Sequence, residues 1–285
     1  MIYLVATILS STSIFVIFRL AKNYTCKIST LITINYFIAT LFGFGLFTQF
    51  KLSLPGDSES WLISGIILGI LFIVMFYLIG VSSQKAGITI TTLANKLSLV
   101  FPVLFSMIWF NEETTTLKYI GFFTALIAMF LTIYKKDLNR TKLFWFFLPI
   151  IIFVGSGITD SVVKYAQALK IRPDESGTFS AFVFFIAFAI SIAIILLKKN
   201  YRLVIHRPTL FLGILLGLVN FGSLYFMINA LNHSELKSSV VFVVINTSIV
   251  VLSTIIGRAI FKEKLSLING SGIILAILSL LLLMK

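Results

Sequence analysis

A chain of 285 residues that is 59% hydrophobic and 12% charged, with a mean hydropathy of +1.06, has too little polar surface to cover a water-soluble globule. Its formal charge of +13 does not point to nucleic acid, because the lysines and arginines sit in short segments between apolar runs, where membrane topology and anionic headgroups account for them. The single cysteine, Cys26, excludes an internal disulfide and a thiolate cluster.

A bilayer core takes about 20 mostly apolar residues per helix. Five such runs occupy residues 2–20, 28–50, 61–81, 88–109 and 117–134, and five more occupy 143–165, 179–197, 210–230, 240–261 and 267–284. They predict an all-α membrane protein of ten transmembrane spans. The continuous apolar runs lack the alternation of membrane barrel strands. The N-terminus has neither a basic leader nor a small-residue cleavage site, so it is read as a retained first span. The polar segment 135–142 divides the chain into five-helix halves, residues 1–137 and 138–285.

The halves repeat. Gly65 and Gly69 in span three have counterparts in Gly213 and Gly217 in span eight. Without a gap, Gly87–Tyr134 lies on Ser238–Lys285, which pairs Asn95 with Asn246, Glu112 with Glu263, Gly121 with Gly272 and Ala125 with Ala276. A looser register sets Arg19 against Lys164. With an odd number of crossings in each unit, the second copy is expected to be inverted relative to the first.

The two-fold five-helix plan, the Phe-x-Glu closing spans four and nine, and the Gly-x-x-x-Ala opening spans five and ten resemble the EamA branch of the drug/metabolite transporter superfamily. The resemblance implies two inverted repeats around a central cavity that opens alternately to each side. It implies that spans one, three, four, six, eight and nine line that cavity. Phosphorylated-sugar carriers of the superfamily place basic side chains on spans four and nine. Here span four has Lys96, but the repeat-related site in span nine is Thr247, so the analogy is half fulfilled.

Lys96 is the sharpest polar signal, since it lies mid-span with at least eight mostly apolar residues on either side. An ammonium at that depth costs about 2.5 to 3.5 kcal/mol, so a wet cavity or a paired partner is expected. Asn95 and Asn246 offer amides near the same level, for a solute or for a helix-to-helix hydrogen bond. Asn220 and Tyr225 in span eight are expected to line the cavity, and Asn35 in peripheral span two to pack. Asp160 and Lys164 are four apart on span six, where they would pair and either gate the cavity or simply neutralise each other. Arg19 ends span one, where it would snorkel to headgroups or contribute to gating. Pro102 removes a backbone hydrogen bond six residues after Lys96 and so is expected to kink span four beside the site. Glu112 and Glu263 precede spans five and ten, where a carboxylate suits a helix N-terminus.

No Gly-x-x-x-x-Gly-Lys-Ser/Thr loop is present, which argues against ATP hydrolysis. His206 and His233 form no metal-ligand or nucleophile pattern, so neither an enzyme, a metal site nor a cofactor is expected. Span one lacks the carboxylate that the superfamily's small multidrug pumps use, which argues against proton-coupled export of cationic drugs. The reading is a secondary transporter of a small polar metabolite, an amino acid or another anionic or zwitterionic solute, acting as a monomer in a bacterial cytoplasmic membrane. A scaffold or receptor without transport and a passive channel are the rival classes.

Orientation is in conflict. Of the 23 Lys and Arg residues, 15 fall on the side holding the loop between spans one and two and 7 on the other, with Lys96 between. That bias puts both termini outside the cytoplasm, whereas the family resemblance implies both inside.

Overall fold

The computed structural model describes residues 2–47, 61–109, 115–133, 143–197, 206–234 and 238–282. Glu112 lies outside this set. Among the described residues the structure is helical, with no strand. The helices are α1 (Ile2–Asn23), α2 (Ile28–Phe47), α3 (Leu62–Lys85), α4 (Ile88–Leu97), α5 (Val100–Trp109) and α6 (Thr116–Ile133) in the first half. The second half holds α7 (Leu143–Leu169), α8 (Ser176–Leu197), α9 (Arg207–Asn232), α10 (Ser238–Ala259) and α11 (Leu267–Leu282). Nine of the ten expected spans are each one helix. Span four is two, α4 and α5, separated at Ser98 and Leu99. Eight segments are long and apolar enough to cross a membrane, the stretch Ile88–Phe105 counting as one, and Thr116–Ala128 and Leu267–Leu282 are apolar but shorter. The chain is an integral membrane protein.

The helices pack as two compact units that do not follow the halves of the sequence. One unit is Met1–Gly80 with Val162–His233; the other is Val81–Ser161 with Ser234–Lys285. Each therefore draws on both halves.

In the first unit α9 packs on α1 and α2, and α2 packs on α8. Lipid tails are as apolar as leucine, so close packing rather than hydrophobic transfer holds such helices together. The repeated glycines supply the closeness. A Cβ at Gly69 would stand 2.5 Å from Ile186 Cγ2 and 3.1 Å from the Val183 carbonyl, and one at Gly65 would meet Phe182, so α3 closes on α8. A Cβ at Gly213 would stand 2.6 Å from Ile34 Cγ2 and one at Gly217 would stand 2.7 Å from the Asn35 carbonyl, so α9 closes on α2. Each glycine pair thus faces the second helix of the opposite half. Between them lies an aromatic core in which Phe18, Tyr36, Phe179 and Phe184 are fully buried. Gly69→Ala is expected to lower thermal stability in detergent by the equivalent of about 1–3 kcal/mol of overpacking. Gly270→Ala, whose added methyl would meet nothing within 4 Å inside α11, should not lower it and should raise it by up to about 1 kcal/mol.

In the second unit α6 lies along α11, and α10 packs on α4. The small residues paired in the sequence form the first contact: Ala125 and Ala276 are fully buried, and the Ser279 hydroxyl donates to the Gly121 carbonyl at 2.8 Å.

Candidate functional site

The second unit contains a charged helix break. Pro102 has no N–H, so the hydrogen bond it would donate to the Ser98 carbonyl is missing. Phe101 N–H takes that carbonyl instead at 2.9 Å, and Leu99 N–H reaches the Lys96 carbonyl at 3.3 Å. Both are three-residue closures, tighter than α-helical turns. The kink expected at Pro102 is thus a full interruption, and its tight turn begins at Lys96 itself.

One face of α7 lies along the break. Phe153, Ser156, Gly157 and Asp160 recur at helical spacing on it. Phe153 meets Phe101 edge to face at 5.2 Å between ring centroids, and Phe101 also lies over Gly157, where no Cβ would fit. The Asn95 amide donates to Ser156 Oγ at 2.6 Å. The Ser98 hydroxyl has two acceptors, the Asn95 carbonyl and Asp160 Oδ2, the latter at 3.3 Å. Lys96 and Asp160 are near enough for their opposite charges to attract. Both are half-buried, so the charges are sheltered but reachable. Asp160 therefore meets the fourth span, whereas spacing alone suggested Lys164 one turn along its own helix.

Helix α10 adds an amide to this unit. Asn246 is 4% exposed, within the apolar run of α10. Thr92 on α4, and Thr247 and Thr254 on α10, carry buried hydroxyls without a partner among the described residues. The unit thus offers an ammonium, a carboxylate and uncommitted hydrogen-bonding groups inside apolar helices, a combination tolerated in a membrane where it lines a polar path. Ser98, Ser156 and Thr92 did not stand out in the sequence. Ser and Thr are common in apolar helices, and only packing distinguishes these three, Ser98 and Ser156 by their hydrogen bonds across the break and Thr92 by its buried, unpartnered hydroxyl.

Helix α4 is anchored from afar. Glu263 Oε1 accepts from Ile88 N–H at 2.5 Å and Oε2 from Thr89 N–H at 3.1 Å. The carboxylate that adjacency assigned to the start of span ten serves the N-terminus of span four. Gly87 makes room for it, with φ of 105° and with Glu263 Oε1 at 2.6 Å from the place a Cβ would occupy.

The remaining candidates belong to the first unit. Asn220, 1% exposed, donates to Asn35 Oδ1 at 3.1 Å and so ties α9 to α2. Tyr225 is half-buried among Phe47, Phe221 and Phe226, the nearest ring centroid being 4.7 Å away in Phe47. Lys164 is 7% exposed on α7, and Arg19 is half-buried one turn before the end of α1. Among the described residues no three His, Cys, Asp or Glu side chains group as metal ligands.

Fold and site together define a polytopic helical membrane protein with a discontinuous, charged span. The model of the EamA-like transporter family matches residues 143–285, and the chain belongs to that family, a branch of the drug/metabolite transporter superfamily. Its members are membrane transporters. A protein of Haemophilus influenzae, described only as uncharacterized, is 28% identical over 286 residues, spanning 96% of this chain and 94% of that one. A solved structure described as "Crystal structure of protein" superposes with a TM-score of 0.62 over 97% of this chain and 95% of its own, at 13% identity, a likeness of fold alone.

Proposed function

We propose that this chain is a secondary transporter of a small anionic or zwitterionic solute, an amino acid being the simplest fit, working by alternating access in a bacterial cytoplasmic membrane. The observation that carries the reading is the placement of Lys96 and Asp160 at an interrupted membrane helix. Broken helices at mid-membrane are where transporters bind polar cargo, because local backbone and side-chain groups substitute there for water. Pro102 and the two tight closures use up donors at this break, so Lys96 is the group suited to a carboxylate. Asp160 would take an ammonium, and the Asn246 amide would serve either end. A zwitterion would then exchange the Lys96–Asp160 attraction for two of its own and leave neither charge alone.

The same proposal includes the two halves, residues 1–137 and 138–285, as inverted copies. It is supported by the glycine pairs, which make matching contacts from α3 to α8 and from α9 to α2, and by the presence of both halves in each compact unit.

The test is a thermal-shift screen of amino acids and small carboxylates on the purified protein, since a ligand of the folded form raises its melting temperature. Hits then go to uptake in proteoliposomes. Saturable uptake accelerated by unlabelled solute on the far side is expected. Uptake without saturation or such acceleration would make the protein a channel, and binding without uptake a receptor.

A further inference from the structure

We propose that the first unit carries a binding site for an anionic glycerophospholipid, in a cleft between α2, α3 and α8. The cleft has a volume of about 570 Å³, within the range of small-molecule sites. Its rim is open on the flank: Val74, Tyr77 and Ile194 line it with 51%, 50% and 41% of their surface exposed. In a membrane protein such apolar exposure faces acyl chains, so the bilayer supplies the occupant.

Polarity in the cleft is graded. Lys27 and Ser29 stand where α2 begins, at the level at which chain leaves the membrane. Deeper, Thr33 and Ser191 share a hydrogen bond of 2.5 Å that ties α2 to α8. The rest of the wall is isoleucine, valine and leucine beside the amphipathic ring of Tyr77. A soluble anion would find only the mouth of such a cleft useful. A lipid matches all of it, with its phosphate at Lys27, its glycerol and ester oxygens near the hydroxyls and one acyl chain along the branched wall. The sign of the headgroup follows from the lining, which contains one cation, Lys27, and no carboxylate.

The full-length protein is purified with a mixture of phosphatidylglycerol and phosphatidylethanolamine of identical chains, and retained lipid is read by native mass spectrometry. A preference of about fivefold for phosphatidylglycerol is expected, the effect of one lysine near a membrane surface. Lys27→Gln should remove the preference, and Lys22→Gln, an exposed lysine outside the cleft lining, should keep it. Val74→Trp, which fills the cleft from an exposed position, should reduce retention of both lipids. Equal retention of the two lipids by the native chain would overturn the proposal. So would equal losses in the two lysine variants, which would reveal diffuse surface charge, or unchanged retention in Val74→Trp. Glycerol 3-phosphate should not displace the lipid at equal concentration. If it does, the site is for a soluble phosphate and the bilayer origin is wrong.

Discussion

Lys96→Ala should abolish both uptake and solute-induced stabilisation, and should also lower the melting temperature of the empty protein. The two losses have different causes. Truncating one partner of a desolvated charge pair costs about 2–5 kcal/mol at a binding site, or roughly thirtyfold or more in affinity. In the empty protein the truncation leaves Asp160 among apolar helices with the Ser98 hydroxyl as its one remaining side-chain partner among the described residues. Breaking a fully buried contact pair on one side costs about 3–5 kcal/mol, and the loss here should be smaller, because both groups are partly exposed. Lys96→Ala combined with Asp160→Asn removes the orphaned charge, so the double variant should melt higher than the single one while still failing to bind. Full uptake by Lys96→Ala would remove Lys96 from the site. A double variant melting no higher than the single would show that the two charges are not coupled.

The second large effect is expected at the start of the same helix. Gly87→Ala has no good conformation available, because φ of 105° is costly for any residue with a Cβ and the new methyl would collide with Glu263 Oε1. Turning the backbone to relieve φ would carry Ile88 and Thr89 N–H away from the carboxylate. Loss of a helix cap costs about 1 kcal/mol, and the strained backbone about 1–2 more. A drop of about 2–3 kcal/mol in chemical unfolding is expected for Gly87→Ala. Glu263→Gln keeps one acceptor and loses the charge and one of the two backbone hydrogen bonds, so it should cost less than Gly87→Ala, which disturbs both and strains the backbone. If Glu263→Gln were the more damaging of the two, the carboxylate would be holding something besides α4.

Residue chemistry made part of this visible in advance. Hydropathy locates helices because each span must satisfy its own backbone in lipid. Pro102 marked the kink, since a missing N–H is a property of one residue. Which helices touch was hidden, because apolar faces in lipid carry no address beyond their small residues. Gly65, Gly69, Gly213 and Gly217 revealed that close packing occurs, and only the coordinates give α8 and α2 as the surfaces they meet. Charges were misleading in a systematic way. Asp160 was read against Lys164 and Glu263 against span ten, each the nearest candidate in sequence, yet the partners lie 64 residues away at Lys96 and 175 away at Ile88. A charge in a nonpolar medium takes the partner brought by tertiary packing, and spacing rules see only the local one.

The interleaving of the two units has a consequence for synthesis. Helix α1 packs on α9, whose first residue follows the last of α1 by about 180 residues. At about 5–20 residues per second, a ribosome takes roughly 10–40 s to make that intervening chain. Through that interval the face of α1 bearing Tyr3 and Ser10, which meet Phe226 and Gly222 of α9, must wait in lipid or against the insertion machinery. Thr7, buried on α1, already donates its hydroxyl to the Tyr3 carbonyl one turn back at 2.7 Å, so that hydroxyl can rest in the bilayer before α9 has been translated.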